Sequence, residues 1–80
     1  MNLKPIVTEK AVMMIESHNV ITFRTDEKET KDDIKKEVED LLEVKVEKIR
    51  TLVKGNKKYA YVKLKEKFPA IDLATKLGLI

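Results

Sequence analysis

The sequence contains no cysteine and no tryptophan, and it has only one histidine and two glycines among its 80 residues. Without cysteine the chain can form no disulfide, no thiolate nucleophile and no cysteine-based zinc site, which fits a reducing, intracellular setting. So few histidines and glycines leave little for catalysis or for a loop that cradles phosphate. We therefore predict no catalytic residue, no cofactor and no metal ligand, and we expect the protein not to be an enzyme.

Long apolar runs are also missing. The longest is Ala11–Ile15, far short of the roughly 20 residues needed to cross a membrane, and the apolar centre of a signal peptide is absent. We therefore expect no membrane insertion and a cytoplasmic location. An apolar content of 42% argues against wholesale disorder, and the length predicts a single domain over residues 1–80.

Charge is abundant and unevenly distributed. The net charge is +3, but residues 26–47 carry ten acids against five lysines, whereas residues 48–67 carry eight bases against one acid. This segregation predicts a positive face and a polyanionic partner. The alternative is a solvated, lysine-rich exterior. A heat-adapted source would favour that composition, because Lys and Glu supply 24 residues and Gln is absent.

Apolar periodicity predicts the order helix–strand–helix–strand–strand–helix, with a possible short strand from Leu3 to Val7. The predicted helices span about residues 8–17, 31–43 and a segment from Pro69 to Gly78; the predicted strands span 19–25 and flank a turn at Gly55-Asn56. This order favours an α+β fold with a small, mainly antiparallel sheet of three to four strands and helices packed on it in α/β/α layers.

Local patterns refine these elements. Thr8 is expected to cap the first helix, and Thr30 with Asp33 forms an Asp variant of the capping box. The second and third helices are each expected to bury one apolar stripe. The stripe of the second helix comprises Ile34, Val38, Leu41 and Leu42. The stripe of the third helix comprises Ile71, Leu73, Ala74 and Leu77. Val44 and Val46 are out of step with Ile49, so the strand that follows has a bulge or begins after Glu47.

The basic hairpin is the main candidate site. Its cations and tyrosines are Arg50, Lys54, Lys57, Lys58, Tyr59, Tyr61 and Lys63. Strand alternation places both tyrosines and Lys63 on one face. Cations beside aromatic rings can neutralise phosphates while a ring stacks on a base or ribose. The alternative for the two tyrosines is ordinary packing.

Two other features carry simpler interpretations. His18 has no acid or second histidine at ligand spacing, so we interpret it as a helix-terminal polar residue. The acids of the second helix alternate with lysines four residues apart, which is typical of a solvated helix surface rather than a catalytic or calcium site.

Four segments together resemble the large-subunit ribosomal protein family numbered twenty-three, and the resemblance covers essentially the whole chain. They are PIVTEK at 5–10, Thr30-Lys31 with Ile34, VKVEKIRTL at 44–52 and KKYAYVKL at 57–64. The family's fold agrees with the elements above and adds an N-terminal strand. Bacterial relatives carry a longer, glycine- and arginine-rich hairpin loop, so the brief loop at 54–58 resembles the archaeal branch.

The resemblance implies binding to large-subunit rRNA at the rim of the polypeptide exit tunnel, as a monomer beside the protein family numbered twenty-nine. It implies RNA contacts at Lys4, Thr8, Lys10, Lys31, Lys35, Arg50, Lys54, Lys57, Lys58 and Lys63. It also implies that Glu9 is a protein-docking residue, because the acid of this Thr-Glu-Lys signature contacts the chaperone trigger factor in bacterial relatives. In an archaeal-type chain the corresponding partner would be the signal recognition particle or the translocon.

Two other classes of function remain open at this point. One is a free-standing nucleic-acid-binding α+β module. The other is a protein-interaction or assembly domain that uses the acidic second helix, and it predicts no salt-sensitive affinity for RNA.

Overall fold

The computed structural model describes residues 3–25 and 28–78. Its elements are β1 (Lys4–Pro5), α1 (Glu9–His18), β2 (Val20–Thr25), α2 (Lys31–Leu42), β3 (Val46–Lys54), β4 (Lys57–Leu64) and α3 (Ala70–Lys76). The strands form one antiparallel sheet in the order β1-β2-β4-β3. The predicted α+β class and order of elements are confirmed, and the short N-terminal strand is present at the sheet edge.

Side-chain caps explain where the first two helices begin. The Thr8 Oγ1 accepts the backbone N–H of Ala11 at 3.1 Å. The Thr30 Oγ1 accepts the N–H of Asp33, and the Asp33 carboxylate accepts the N–H of Thr30, both at 3.2 Å. Hydrogen bonding from the Thr30 side chain, followed by that from the Thr30 backbone, holds the pKa of Asp33 below its usual value. Both predicted caps are confirmed.

The main hydrophobic core lies on one face of the sheet, under α2 and α3. Its largest fully buried side chains are Phe23, Ile21, Ile34, Leu64, Val38 and Val62. From α3, Leu73 and Ala74 join the same cluster. We call this the covered face.

Two apolar residues depart from the predicted stripes. Leu41 is 57% exposed, and Leu42 instead packs against the core. Ile71 is 37% exposed. The apolar stripe of a helix is wide, and periodicity does not say which of its edges faces the sheet. In α2 that edge carries Leu42, so the prediction that Leu41 is buried was wrong, as was that for Ile71.

A β-bulge corrects the phase of β3. Val46 pairs with Leu64, but the next pair along is Lys48 with Lys63, so Glu47 is the extra residue. The bulge lets Val46 enter the core while Lys48 points to the opposite face. Of the two explanations predicted for this segment, the bulge is the correct one.

Asn19 joins three elements at one end of the sheet. It ends α1 in the left-handed conformation, with φ of 57°. Its side-chain amide donates to the backbone oxygens of Leu64 at 3.0 Å and Phe68 at 3.2 Å, and its side-chain oxygen accepts the N–H of Ala70. One side chain therefore holds together the end of β4 and the start of α3.

Helix α1 covers part of the second face of the sheet and also reaches the main core. Its Ile15 belongs to the main core cluster, whereas Ala11 and, on β2, Val20 are buried outside that cluster. A small cavity is lined by α1 and by strand residues of this second face, including Met14, Thr22 and Tyr61. The helices therefore occupy both faces, as the α/β/α prediction required. Across residues 3–25 and 28–78, no helix combines the length and apolar character of a membrane span.

Candidate nucleic-acid interface

Cations dominate the sheet face that carries α1. Residues paired directly across antiparallel strands present their side chains on the same side. Register therefore groups Lys4 with Arg24, Arg50 with Tyr61, and Lys48 with Lys63. We call this surface the basic face and define its cations as Lys4, Arg24, Lys48, Arg50, Lys54, Lys57 and Lys63. Seven strand positions on one face thus carry positive charge.

Three of the pairings on the basic face are between like charges. Lys4 lies opposite Arg24, Lys48 opposite Lys63, and Lys54 opposite Lys57. Like charges directly opposite each other destabilise a sheet. No acid occupies the regularly paired positions of this face in the part of the chain that the structure describes. The folded protein therefore concentrates repulsion on a surface that an anion would relieve.

The two tyrosines lie among these cations. Tyr61 sits between Thr22 and Arg50, and Tyr59 sits between Arg24 and Leu52. Both rings are partly exposed. Part of each ring packs under α1, as the packing interpretation predicted, and the remainder is available beside guanidinium and ammonium groups.

A groove runs between α1 and strands β3 and β4. Its volume is about 540 Å3. Its lining is Lys10, Met14, His18, Val20, Lys48, Arg50, Thr51, Leu52, Tyr61 and Lys63. The floor is mostly apolar, and no acid is among these lining residues. We call it the α1 groove.

A larger depression at the end of the sheet has a different character. Its volume is about 700 Å3, and Glu16, Glu47 and Glu66 line it beside Lys63. Three carboxylates close together would repel a phosphate. The α1 groove, although smaller, is the better candidate for an anionic ligand.

The structure brings together most of the predicted contact residues. Five of them lie on the basic face, namely Lys4, Arg50, Lys54, Lys57 and Lys63. Lys10 lines the α1 groove from the helix side. Thr8 caps the same helix, so its hydroxyl already accepts a backbone hydrogen bond.

Three predicted contact residues lie elsewhere. Lys31 and Lys35 are exposed on α2, which packs on the covered face. Lys58 pairs with Thr25 and Val53, which places it on the covered side of the sheet. Its amine donates to the backbone oxygen of Glu29. That contact gives Lys58 a structural use in fixing the segment before α2.

Two cations of the basic face were missed in the sequence. Lys48 lies two residues before Arg50 and on the same face of β3, so assigning the bulge to Glu47 would have identified it. Arg24 is revealed only by the pairing of β2 with β4 and β1, because its own segment has no other cation. Long-range register is needed to find it.

Glu9 lies apart from the groove, at the first position of α1. It is exposed, and it is followed four residues later by Met13, which is 63% exposed. Val7, just before the cap, is 57% exposed. Residues four apart lie on the same side of a helix, so Glu9 and Met13 belong to one surface of mixed acidic and apolar character.

The fold and surface together define a small basic α+β domain with one polyanion-complementary sheet face. Comparison with protein families gives the particular family: the model described as ribosomal protein L23 matches residues 1–72. The chain therefore belongs to the ribosomal protein L23 family, and the resemblance noted from its sequence is confirmed.

Family membership makes the protein a component of the large ribosomal subunit. It implies association with large-subunit rRNA and with other ribosomal proteins, in the ribosome within the cytoplasm. Proteins of this family are typically structural rather than catalytic.

Proposed function

We propose that residues 1–80 act as one rRNA-binding domain that contacts large-subunit rRNA through the basic face and lies at the rim of the polypeptide exit tunnel. The observation that carries this proposal is the set of three like-charged cross-strand pairs on a face whose paired positions include no acid. Phosphates placed between such cations would replace repulsion with attraction. The family match supplies the class of polyanion.

The contacts fall into a primary and a secondary group. The primary group comprises the seven cations of the basic face together with Lys10 across the α1 groove. Lys31 and Lys35, on the opposite side of the sheet, would meet a second segment of rRNA. Contacts of this kind to phosphates position a domain without specifying sequence.

Matched charge reversals test the location of the primary site. One variant carries Lys48→Glu, Arg50→Glu and Lys63→Glu; its control carries Lys31→Glu, Lys35→Glu and Lys36→Glu on α2. Both change the net charge equally. Binding to large-subunit rRNA is measured over a range of salt. Each lost phosphate contact should reduce the log–log salt slope by roughly 0.7–0.9, so we expect the slope to fall by about 2 in the first variant and much less in the control.

Equal losses of affinity in the two variants would contradict a localised site. A second measurement distinguishes a resident ribosomal protein from a free-standing nucleic-acid-binding module: co-sedimentation with large subunits after a moderate salt wash. A protein that stays at the top of the gradient would contradict the proposal. An assembly domain acting through α2 predicts that only the α2 control loses its partner.

Protein docking is assigned to a separate surface at the start of α1. The specific observation is that the exposed acid Glu9 lies between two strongly exposed apolar side chains, Val7 and Met13. A carboxylate would be repelled by phosphate, and exposed apolar groups beside it favour a protein partner. The signal recognition particle or the translocon would dock here, and the family numbered twenty-nine would be the neighbouring ribosomal protein.

Glu9→Ala in reconstituted large subunits tests this docking role. Incorporation should be normal, because the residue makes no part of the basic face, while binding of exit-site factors should weaken. Glu16→Ala, an exposed acid further along the same helix, is the matched control. Loss of incorporation, or unchanged binding of every exit-site factor, would defeat the assignment.

The hairpin supports an archaeal-type assignment within the family. Strands β3 and β4 are joined by two residues only, because Lys54 pairs directly with Lys57. Gly55 has φ of +66°, as expected where glycine opens a tight hairpin turn. A loop this short would stay at the tunnel rim. The Lys- and Glu-rich composition agrees with a heat-adapted source.

A further inference from the structure

The α1 groove combines two chemistries that the phosphate backbone alone does not require. Its floor includes Met14, Val20 and Leu52, with the ring of Tyr61 beside them. Apolar and aromatic groups offer nothing to a phosphate, which needs hydrogen-bond donors and positive charge. A ligand that fills this groove therefore has an apolar, flat part as well as an anionic one.

The cations stand on both rims of that floor. Lys10 approaches from α1, while Lys48, Arg50 and Lys63 approach from the strands. The cations on the two rims would therefore bind the two consecutive phosphates that flank a chemical group bound on the groove floor. The volume of about 540 Å3 is within the usual range of small-ligand sites.

From this arrangement we propose that the α1 groove holds the unstacked base of an unpaired nucleotide, with the flanking phosphates on Lys10 and on the strand cations. Bases within a helix are stacked and hide their faces, so only a loop, bulge or single-stranded segment can supply such a base. This inference rests on the proposed binding of rRNA and adds the kind of rRNA element that this groove receives.

Tyr61 and Leu52 would contact the flat faces of the base, which are the parts that water solvates least well. Tyr61 lies directly opposite Arg50 in the sheet, so its ring and the guanidinium plane can both stack on the base. Leu52, 50% exposed in the free protein, would be covered when the groove is occupied. Its exposure in the absence of a ligand thus has an explanation.

The test removes bases while keeping phosphates. Two single-stranded RNA oligomers of about six nucleotides are compared, one with ordinary bases and one with abasic sugars at the two central positions. Their binding to the full chain is measured over a range of salt. Base–aromatic stacking should make the ordinary oligomer bind roughly five- to 100-fold more tightly, while the salt slopes of the two oligomers remain equal.

A variant pair then locates the effect. Tyr61→Leu keeps apolar bulk but removes the ring, and it should abolish most of the difference between the two oligomers. Tyr59→Leu is the matched control, since it lies on the same strand and face but outside the α1 groove. Leu52→Ala, at an exposed position that the fold tolerates, should reduce the difference as well. Melting curves show whether each variant is folded. The comparison of the two oligomers on the wild-type protein remains valid even if a variant does not fold.

The outcomes separate this inference from the proposed function. Equal, salt-dependent affinity for both oligomers would overturn the base site and leave phosphate binding intact. A difference that survives Tyr61→Leu and Leu52→Ala would overturn the groove as its location. Failure of both oligomers to bind while large-subunit rRNA still binds would also overturn the base site alone. Failure of large-subunit rRNA to bind would overturn the proposed function itself. Tight binding of a short Leu/Glu amphipathic peptide in the groove, with no preference for bases, would assign it to a protein partner instead.

Discussion

The two faces of the sheet share the same strands but have opposite characters. On the covered face, Phe23 and Val62 are completely buried beneath α2 and α3. One residue along, Arg24 and Tyr61 face outward among cations. Alternation therefore separates stability from proposed binding where α1 leaves the second face open, whereas Val20 and Thr22 of β2 are buried on that face as well.

The largest expected effect is a loss of stability from α2, which covers the first face. Ile34 is 0% exposed, whereas Leu41, on the same helix, is 57% exposed. We expect Ile34→Ala to cost about 2–5 kcal/mol because it leaves a cavity in the core. Leu41→Ala should change the free energy of unfolding by less than about 0.5 kcal/mol. Urea denaturation of both variants measures the difference.

Similar losses for the two variants would show that Leu41 is covered in solution and would break the distinction between the faces. For RNA binding the expectation is the reverse. Both variants, measured well below their melting temperatures, should bind with wild-type affinity, because neither lies on the basic face.

A smaller effect is expected where the two faces meet, at Asn19. Asn19→Ala removes the hydrogen bonds to Leu64, Phe68 and Ala70 and also places a residue with a Cβ in the left-handed conformation. We expect it to cost roughly 1–3 kcal/mol, the usual cost of leaving buried backbone groups unpaired. The measurement is thermal or urea unfolding monitored by circular dichroism.

Asn19→Gly separates the two causes, because glycine accepts a positive φ without penalty. If the hydrogen bonds dominate, the glycine variant should lose nearly as much stability as the alanine variant. Full recovery of stability with glycine would assign the effect to the backbone conformation alone.

Local signals were sufficient to predict most of the fold. Thr8 and Thr30 mark helix starts because a cap is decided by residues within three positions. The phase conflict between Val46 and Ile49 is visible within one strand for the same reason; it predicted either a bulge or a later start, and the structure has the bulge. What periodicity could not supply was the direction in which α2 faces the sheet, which exposes Leu41 instead of Leu42.

The candidate site was less predictable because it is assembled across strands. Lys57 and Lys63 were found from the charge of one hairpin, but Arg24 joins them only through the pairing of β2 with β4. Lys58 shows the opposite error, in which a residue selected by sequence charge does not lie on the basic face. It lies within the same basic run, yet strand parity turns it to the covered side and its amine contacts Glu29. Charge along a sequence predicts that a positive face exists, and register decides its members.

The smallest expected effect concerns repulsion on the basic face of the free protein. Lys54 and Lys57 lie opposite each other at the end of the hairpin, and both are exposed. Lys57→Glu replaces a like-charged pair with an opposite pair, so we expect the free energy of unfolding to rise by about 0.2–1 kcal/mol at low salt. High salt should reduce the gain by screening. Affinity for rRNA should fall, since Lys57 is one of the proposed phosphate contacts.

The reciprocal variant and the double variant show whether this gain comes from the pair or from net charge. Lys54→Glu alone should stabilise the protein by a similar amount, because it creates the same opposite pair with its charges exchanged. The double variant restores a like-charged pair, now of two carboxylates, and should lose the gain. If net charge were the cause, the double variant would instead keep the gain, because two reversals take the net charge from +3 to a value equal in magnitude to that of each single variant and opposite in sign. Stability recovered by single reversals, at the expense of rRNA affinity, would mean that the repulsion on this face is maintained for binding.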